Sequence, residues 1–163
     1  RGLPSNQRLV KCPVCAGIFF VDEALEVGQG FDAANGKEPV LAPSERELVR
    51  FLAENVLSKD KDIFLRIRVW WSANHTWRWA AKADSAFSEV QAQNLNVLSR
   101  LLDESKPNQR ILKAEIAREL GNFDECLGLL SQTFDERYVY TVGFIKKLAE
   151  EKVRAVKPFE PVK

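Results

Sequence analysis

Apolar residues recur at spacings of three and four from residue 44 to about residue 153, which is the period of amphipathic helices. A capping box marks the first helix, because Ser44 is followed three positions later by Glu47. Further helices are predicted over residues 60–74, 87–102, 111–120, 123–130 and 137–153. The pattern therefore predicts five or six antiparallel helices with short connections.

The N-terminal residues follow a different pattern. Short β-favouring runs, residues 8–11 and 17–21, lie on either side of Cys12-Pro13-Val14-Cys15 and predict a β-hairpin with the cysteines at its bend. The fold class that we predict is mainly α, with a short N-terminal hairpin, zinc-ribbon-like but incomplete in this chain, followed by an antiparallel helical bundle. The predicted boundaries are a hairpin at 1–30, a linker at 31–43, a helical domain at 44–156 and an extended tail at 157–163.

Composition restricts the possible functions only mildly. The 24 basic residues nearly balance the 23 acidic ones and are mixed with them along the chain, so direct nucleic-acid binding is not expected. No apolar run reaches the ~18 residues of a membrane span, and no membrane association is expected. Three cysteines, two of them in one CxxC, favour a reducing compartment and hence the cytoplasm. Because the chain opens with Arg1 and contains no Met, we expect further sequence upstream.

The CxxC pair is the main candidate for chemistry. Two intervening residues allow the thiolates of Cys12 and Cys15 to bind one zinc ion from a tight turn, in which backbone amides and the neighbouring Lys11 would favour the thiolate form. The predicted cofactor is structural zinc, with only a half-site in this chain. Ligands outside the chain, or a second copy, would complete it. Two alternatives remain open, namely a thiol–disulfide redox pair and a pair of reduced cysteines without metal.

One family resemblance supports this architecture. The chain resembles an uncharacterised family of bacterial proteins that join an N-terminal zinc ribbon to a tetratricopeptide-like helical domain. The resemblance lies in the CPVC motif, in RIRVWWSAN at residues 66–74 and in KAEIARELGNF at residues 113–123. It implies a second cysteine pair upstream, which would complete the ribbon, and it implies no activity.

Residues 114–126 are similar to a tetratricopeptide helix pair. That repeat requires a small residue on each helix and a glycine at the turn, positions that Ala114, Cys126 and Gly121 occupy. Lys113 and Arg110 depart from the pattern, and no second copy follows at the ~34-residue period. A single irregular repeat predicts a packing unit, in which Cys126 belongs to the core.

The stretch from residue 66 to residue 79 contains all four tryptophans and the only histidine. Arg66, Arg68 and Asn74 are polar residues in an otherwise apolar helix, and when buried they need partners. One interpretation is structural, in which Arg66 and Arg68 extend to the surface or pair with acids such as Asp62 or Glu104. The other is a partner-binding surface, because tryptophan and arginine are enriched at binding hot spots. Its candidate residues are Arg66, Arg68, Trp77 and Arg78.

The sequence contains no catalytic signature such as a phosphate loop, HExxH or GxSxG. We therefore expect a protein-binding or scaffold module with a zinc ribbon and a tetratricopeptide-like domain, and not an enzyme. The partner's identity and the oligomeric state do not follow from the sequence. The alternatives are a redox protein that uses the CPVC pair and a nucleic-acid-binding zinc ribbon.

Overall fold

The computed structural model describes residues 8–24, 41–79 and 88–157, without the side chains of residues 75–79. The chain divides into two compact units, Arg1–Asn55 and Val56–Lys163. The predicted fold class is confirmed, because the described residues form six α-helices and a short two-stranded antiparallel hairpin.

The first unit consists of the hairpin and one helix. Strand β1 (Leu9–Lys11) pairs with β2 (Ile18–Phe20), and a 3-10 turn (Val21–Glu23) follows. Helix α1 (Glu45–Glu54) begins at the predicted capping box, in which the Ser44 hydroxyl accepts from the Glu47 N–H and the Glu47 carboxylate accepts from the Ser44 N–H.

Side-chain contacts hold this helix in the first unit. The rings of Phe20 and Phe51 meet edge to face with their centroids 6.2 Å apart, and the Lys11 ammonium lies 2.6 Å from the Glu47 carboxylate. The division into units therefore places α1 with the hairpin, whereas the sequence analysis placed residues 44–54 in the helical domain.

The second unit contains five helices: α2 (Lys59–Trp79), α3 (Glu89–Leu101), α4 (Pro107–Leu120), α5 (Phe123–Leu130) and α6 (Glu136–Glu150). Helix α3 begins at a second capping box, formed by Ser88 and Gln91. Pro107 occupies the first turn of α4, where its missing N–H removes no helical hydrogen bond.

Helix α4 contributes to two hydrophobic clusters. Ile111, Ala114 and Ala117 pack with residues of α5 and α6. On another face, Ile116 packs with Trp70 of α2 and with leucines of α3. Helix α4 is thus shared between both parts of the core.

Helices α4 and α5 form the predicted helix pair. Gly121 ends α4 in the left-handed conformation, with φ at +89°, and its N–H caps carbonyls in the last turn. Arg110, at a position where the repeat usually has an aromatic residue, is buried with its guanidinium 4.5 Å from the centre of the Phe134 ring. The likeness to a tetratricopeptide repeat itself stays a prediction.

Among the residues that the structure describes, no helix is long and apolar enough to cross a membrane.

Candidate functional site

The two cysteines lie at the bend between β1 and β2. The Cys12 N–H donates to the Gly17 carbonyl at 2.8 Å, and the Ala16 N–H donates back to the Cys12 carbonyl at 3.0 Å. Ala16 adopts a left-handed conformation with φ at +58°. A β-carbon at Gly17 would lie only 3.3 Å from the Cys15 sulfur, so glycine leaves space for that sulfur. The turn is therefore closed tightly around the thiols.

Backbone amides favour the thiolate form of Cys12. Hydrogen bonds from the backbone N–H groups of Cys15 and Val14, and then from the Cys15 thiol, lower the pKa of the Cys12 thiol below its usual value. Lys11 was expected to favour the thiolate as well, but its ammonium pairs with the Glu47 carboxylate instead. The backbone of the turn is thus the main source of thiolate stabilisation.

The turn presents two thiol groups to solvent. Cys12 is partly exposed and Cys15 is exposed, so both can reach a ligand from solvent. Among the described residues, no three His, Cys, Asp or Glu side chains are grouped closely enough to hold a metal ion. Cys126 is fully buried in the core around α5, and burial raises the pKa of its thiol to about 11.

The proposed partner-binding residues have different environments. Arg66 forms the structural ion pair considered above, because its Nε lies 2.7 Å from Asp62 Oδ1. It also donates to the side chain of Asn94 on α3, which in turn donates to the Arg66 carbonyl. Arg68 is half-buried. Trp77 and Arg78 belong to α2, but their side chains lie outside the described residues. These four residues are therefore not shown to form one surface.

A buried cluster of charged residues occupies the end of α4. Arg118 is fully buried and forms a two-point ion pair with Glu115, at 2.8 Å from Nε to Oε2 and 2.6 Å from Nη2 to Oε1. Its Nη1 donates to the carbonyls of Val153 and Ala155. The guanidinium therefore ties the segment that follows α6 to α4.

Glu119 is the second carboxylate of this cluster and is only 1% exposed, whereas Glu115 is partly buried. The Glu119 side chain accepts a 2.7 Å hydrogen bond from Trp70 Nε1 and longer ones, at 3.4 and 3.5 Å, from Asn74 Nδ2. Arg118 Nη2 lies 3.7 Å away. Desolvation and the nearby Glu115 raise the pKa of Glu119 from 4.5 to about 7, although Trp70, Arg118 and Asn74 partly oppose the shift.

A cavity of about 420 Å³ opens beside this cluster, between α2, α4, α6 and the segment after α6. Apolar and aromatic side chains form most of its wall, together with Asn74, Glu115, Glu119, Thr141 and Lys157. Asn74 is 3% exposed, and its Oδ1 has no hydrogen-bond partner among the described residues. Such a combination of an apolar wall with a few convergent polar groups is typical of ligand sites.

Asn74 was predicted to need a partner when buried, and Glu119 is that partner. Arg118, Glu115 and Glu119 were not predicted to form a site, because charged residues at helical spacing are usually solvated. The one available signal was Glu119 in an otherwise apolar stripe with Leu112 and Ile116.

Comparison of the chain with protein-family models, with curated proteins and with solved structures finds no match.

The raised pKa of Glu119 predicts a stability that depends on pH. The folded state binds a proton more tightly than the unfolded chain, so this stabilisation is complete below pH 4.5 and is lost as the pH rises through about 7. We expect the free energy of unfolding to fall by about 1–3 kcal/mol between pH 5 and 7.5. Denaturant titrations at several pH values measure it.

The Glu119→Gln variant is the matched control, because its side chain has nearly the same shape and does not titrate. The fall in stability over this range should be largely absent from it. Parallel pH profiles for the two proteins would show that Glu119 titrates at its ordinary pKa.

Proposed function

We propose that the chain is a binding module with a structural zinc site. In this proposal Cys12 and Cys15 supply two thiolate ligands, and the helical unit presents the surface that binds a protein partner. Zinc would fix the bend of a hairpin whose strands are only three residues long. Such a small unit gains much of its stability from metal ligation where its own core is limited.

The observation that carries the zinc proposal is the turn itself. Backbone N–H groups aimed at the Cys12 sulfur lower the pKa of its thiol, and zinc binds the thiolate. Gly17 leaves room for the Cys15 sulfur, and the left-handed Ala16 turns the chain back toward β2. The donor set therefore fits half of a tetrahedral zinc site.

The remaining two ligands would come from outside the described residues or from a second copy of the chain. A structural zinc ion usually has four protein ligands, and the turn offers two. Because both cysteines are accessible, neither arrangement requires the hairpin to open.

Thiol–disulfide exchange is the second candidate function, and the same lowered pKa of Cys12 favours it. The two thiols are close enough to share a hydrogen bond, as a redox pair requires. The position of the pair favours zinc instead, since redox CxxC motifs open a helix whereas this one joins two strands.

Zinc content of the full-length protein tests the first part of the proposal. We expect zinc in the purified protein and, after replacement by cobalt, absorption typical of thiolate ligation. Cys12→Ser and Cys15→Ser should each weaken metal binding at least about tenfold, because each removes one of the ligands.

Cys126→Ser is the matched control and should keep the metal, since Cys126 is buried in the core of the other unit. If the wild-type protein lacks zinc but forms a reversible disulfide between Cys12 and Cys15, the redox function replaces the zinc proposal. Zinc retained in both Cys12→Ser and Cys15→Ser would show that the metal binds elsewhere.

Affinity capture from the native host tests the second part. A protein partner should be retained by the wild-type chain and lost with Trp77→Ala or Arg78→Ala, because large aromatic and guanidinium groups contribute most at interfaces. Arg137→Ala, which alters an exposed arginine on α6, should retain it. Equal capture by all three variants would contradict a partner site at Trp77 and Arg78.

A further inference from the structure

The cavity beside α4 is a feature that the proposed zinc site does not involve. Its volume of about 420 Å³ lies in the range of small-molecule sites. All of its lining residues belong to the unit Val56–Lys163, so one compact unit forms its walls. The chemistry of those walls indicates which class of ligand would fit.

Aromatic rings from two helices line the cavity, namely Trp70 and Trp71 of α2 and Phe144 of α6. Trp70 is 4% exposed and Trp71 is 38% exposed, so the aromatic surface extends from the interior to solvent. Flat aromatic groups pack well against such rings, either offset and parallel or edge to face. Aliphatic side chains contribute the rest of the apolar wall: Ile111, Leu112, Ile145 and Val156.

The hydrogen-bonding groups beside the apolar wall are already bonded to one another. Trp70 Nε1 and Asn74 Nδ2 both donate to the Glu119 carboxylate. The Glu115 carboxylate accepts two hydrogen bonds from Arg118. Asn74 Oδ1 has almost no accessible surface, so a ligand in the cavity cannot reach it. An uncharged ligand can therefore enter without separating these groups from their partners, which would be costly.

Charges of both signs surround the cavity. The carboxylates of Glu115 and Glu119 lie beside the Arg118 guanidinium. The Arg154 guanidinium donates to the Glu119 carbonyl, and Lys157 lines the cavity but is exposed to solvent. An ion pair with an exposed lysine contributes little, and an ion loses its hydration when it enters an apolar site. An uncharged ligand is therefore favoured over an anion or a cation.

We infer that this cavity binds a small uncharged aromatic compound of about two or three fused rings, which is the size that its volume accommodates. The rings would pack against Trp70 and Trp71 of α2 and Phe144 of α6. Binding would gain from the burial of apolar surface and not from ionic contacts. The inference requires neither zinc nor the partner surface proposed at Trp77 and Arg78.

A matched set of naphthalene derivatives tests the inference. The alcohol 2-naphthalenemethanol is uncharged, whereas 2-naphthoate carries a negative charge and 2-naphthylmethylamine a positive one near neutral pH. Titration of the alcohol into ¹⁵N-labelled full-length protein should shift the indole N–H signals of Trp70 and Trp71. We expect the alcohol to bind at least about tenfold more tightly than either charged analogue, because only the ions lose hydration without gaining a buried partner.

A substitution in the aromatic wall tests whether ring contacts contribute. Trp71→Leu should weaken binding of the alcohol at least about threefold, because leucine keeps an apolar wall but removes a ring contact. Binding of the saturated analogue, decahydro-2-naphthalenemethanol, should be nearly unchanged in this variant, since it has no ring contact to lose. Tyr140→Leu is the matched control and should bind as the wild type does, because Tyr140 is an exposed aromatic residue of α6 that does not line the cavity.

A second substitution tests whether the cavity itself holds the ligand. Thr141→Trp should block binding of both alcohols by filling the cavity from α6, with helix content checked by circular dichroism. The comparison of Trp71→Leu with Tyr140→Leu carries the test if Thr141→Trp does not fold.

Binding of either charged analogue as tightly as the aromatic alcohol would overturn the inference. Equal losses for the aromatic and the saturated alcohol in Trp71→Leu would contradict the aromatic packing, and unchanged binding in both lining variants would contradict the location. The absence of a shift at both indoles with the aromatic alcohol would overturn it too. Binding of an acetylated Leu-Trp-Leu amide in place of the alcohol would also overturn it, because the cavity would then accept a side chain of a protein partner.

Discussion

The second unit depends on one buried guanidinium. Arg118 has no exposed surface, and a charge in that position is stable only when every donor has a partner. Glu115 and the carbonyls of Val153 and Ala155 meet that requirement. The same requirement fixes the chain after α6, because those carbonyls follow the helix directly. Arg154 adds a second tie, since its Nε donates to the Glu119 carbonyl at 3.0 Å.

The cluster of charged residues at the end of α4, which contains Glu115, Arg118 and Glu119, also explains why a cavity lies beside this helix. Around Ala114 and Ile116 the helix packs against apolar neighbours, and the core closes. Near Glu119 the neighbouring residues have to satisfy a carboxylate, so Trp70 and Asn74 direct polar atoms toward it. Apolar side chains cannot fill such a space without leaving those polar atoms unpaired. The cavity that results is lined by the aromatic side chains of Trp70, Trp71 and Phe144 together with Asn74, Glu115 and Glu119.

Local signals in the sequence were sufficient to predict the helices and the hairpin, but not the cluster of charged residues at the end of α4. The Ser44–Glu47 capping box, the turn at Gly121 and the hairpin around Cys12 and Cys15 depend on neighbouring residues, and each was predicted. The ion pair of Arg66 with Asp62 was also predictable, because the two residues are four apart on one helix. The bond between Trp70 and Glu119 joins residues 49 positions apart, and no local pattern indicates such a contact. The placement of α1 in the first unit was missed for the same reason, since it depends on the contact between Phe20 and Phe51.

Chemical denaturation of Arg118→Met, followed by tryptophan fluorescence, tests the central role of Arg118 most directly. All four tryptophans belong to the second unit, so the signal reports on that unit alone. We expect a loss of about 3–5 kcal/mol, because the change leaves the buried Glu119 and the partly buried Glu115 without their cation. Arg137→Met, which breaks an exposed ion pair with Asp135, should cost less than about 1 kcal/mol. Equally small losses in both variants would contradict the claim that the buried guanidinium holds α4 and the segment after α6 together.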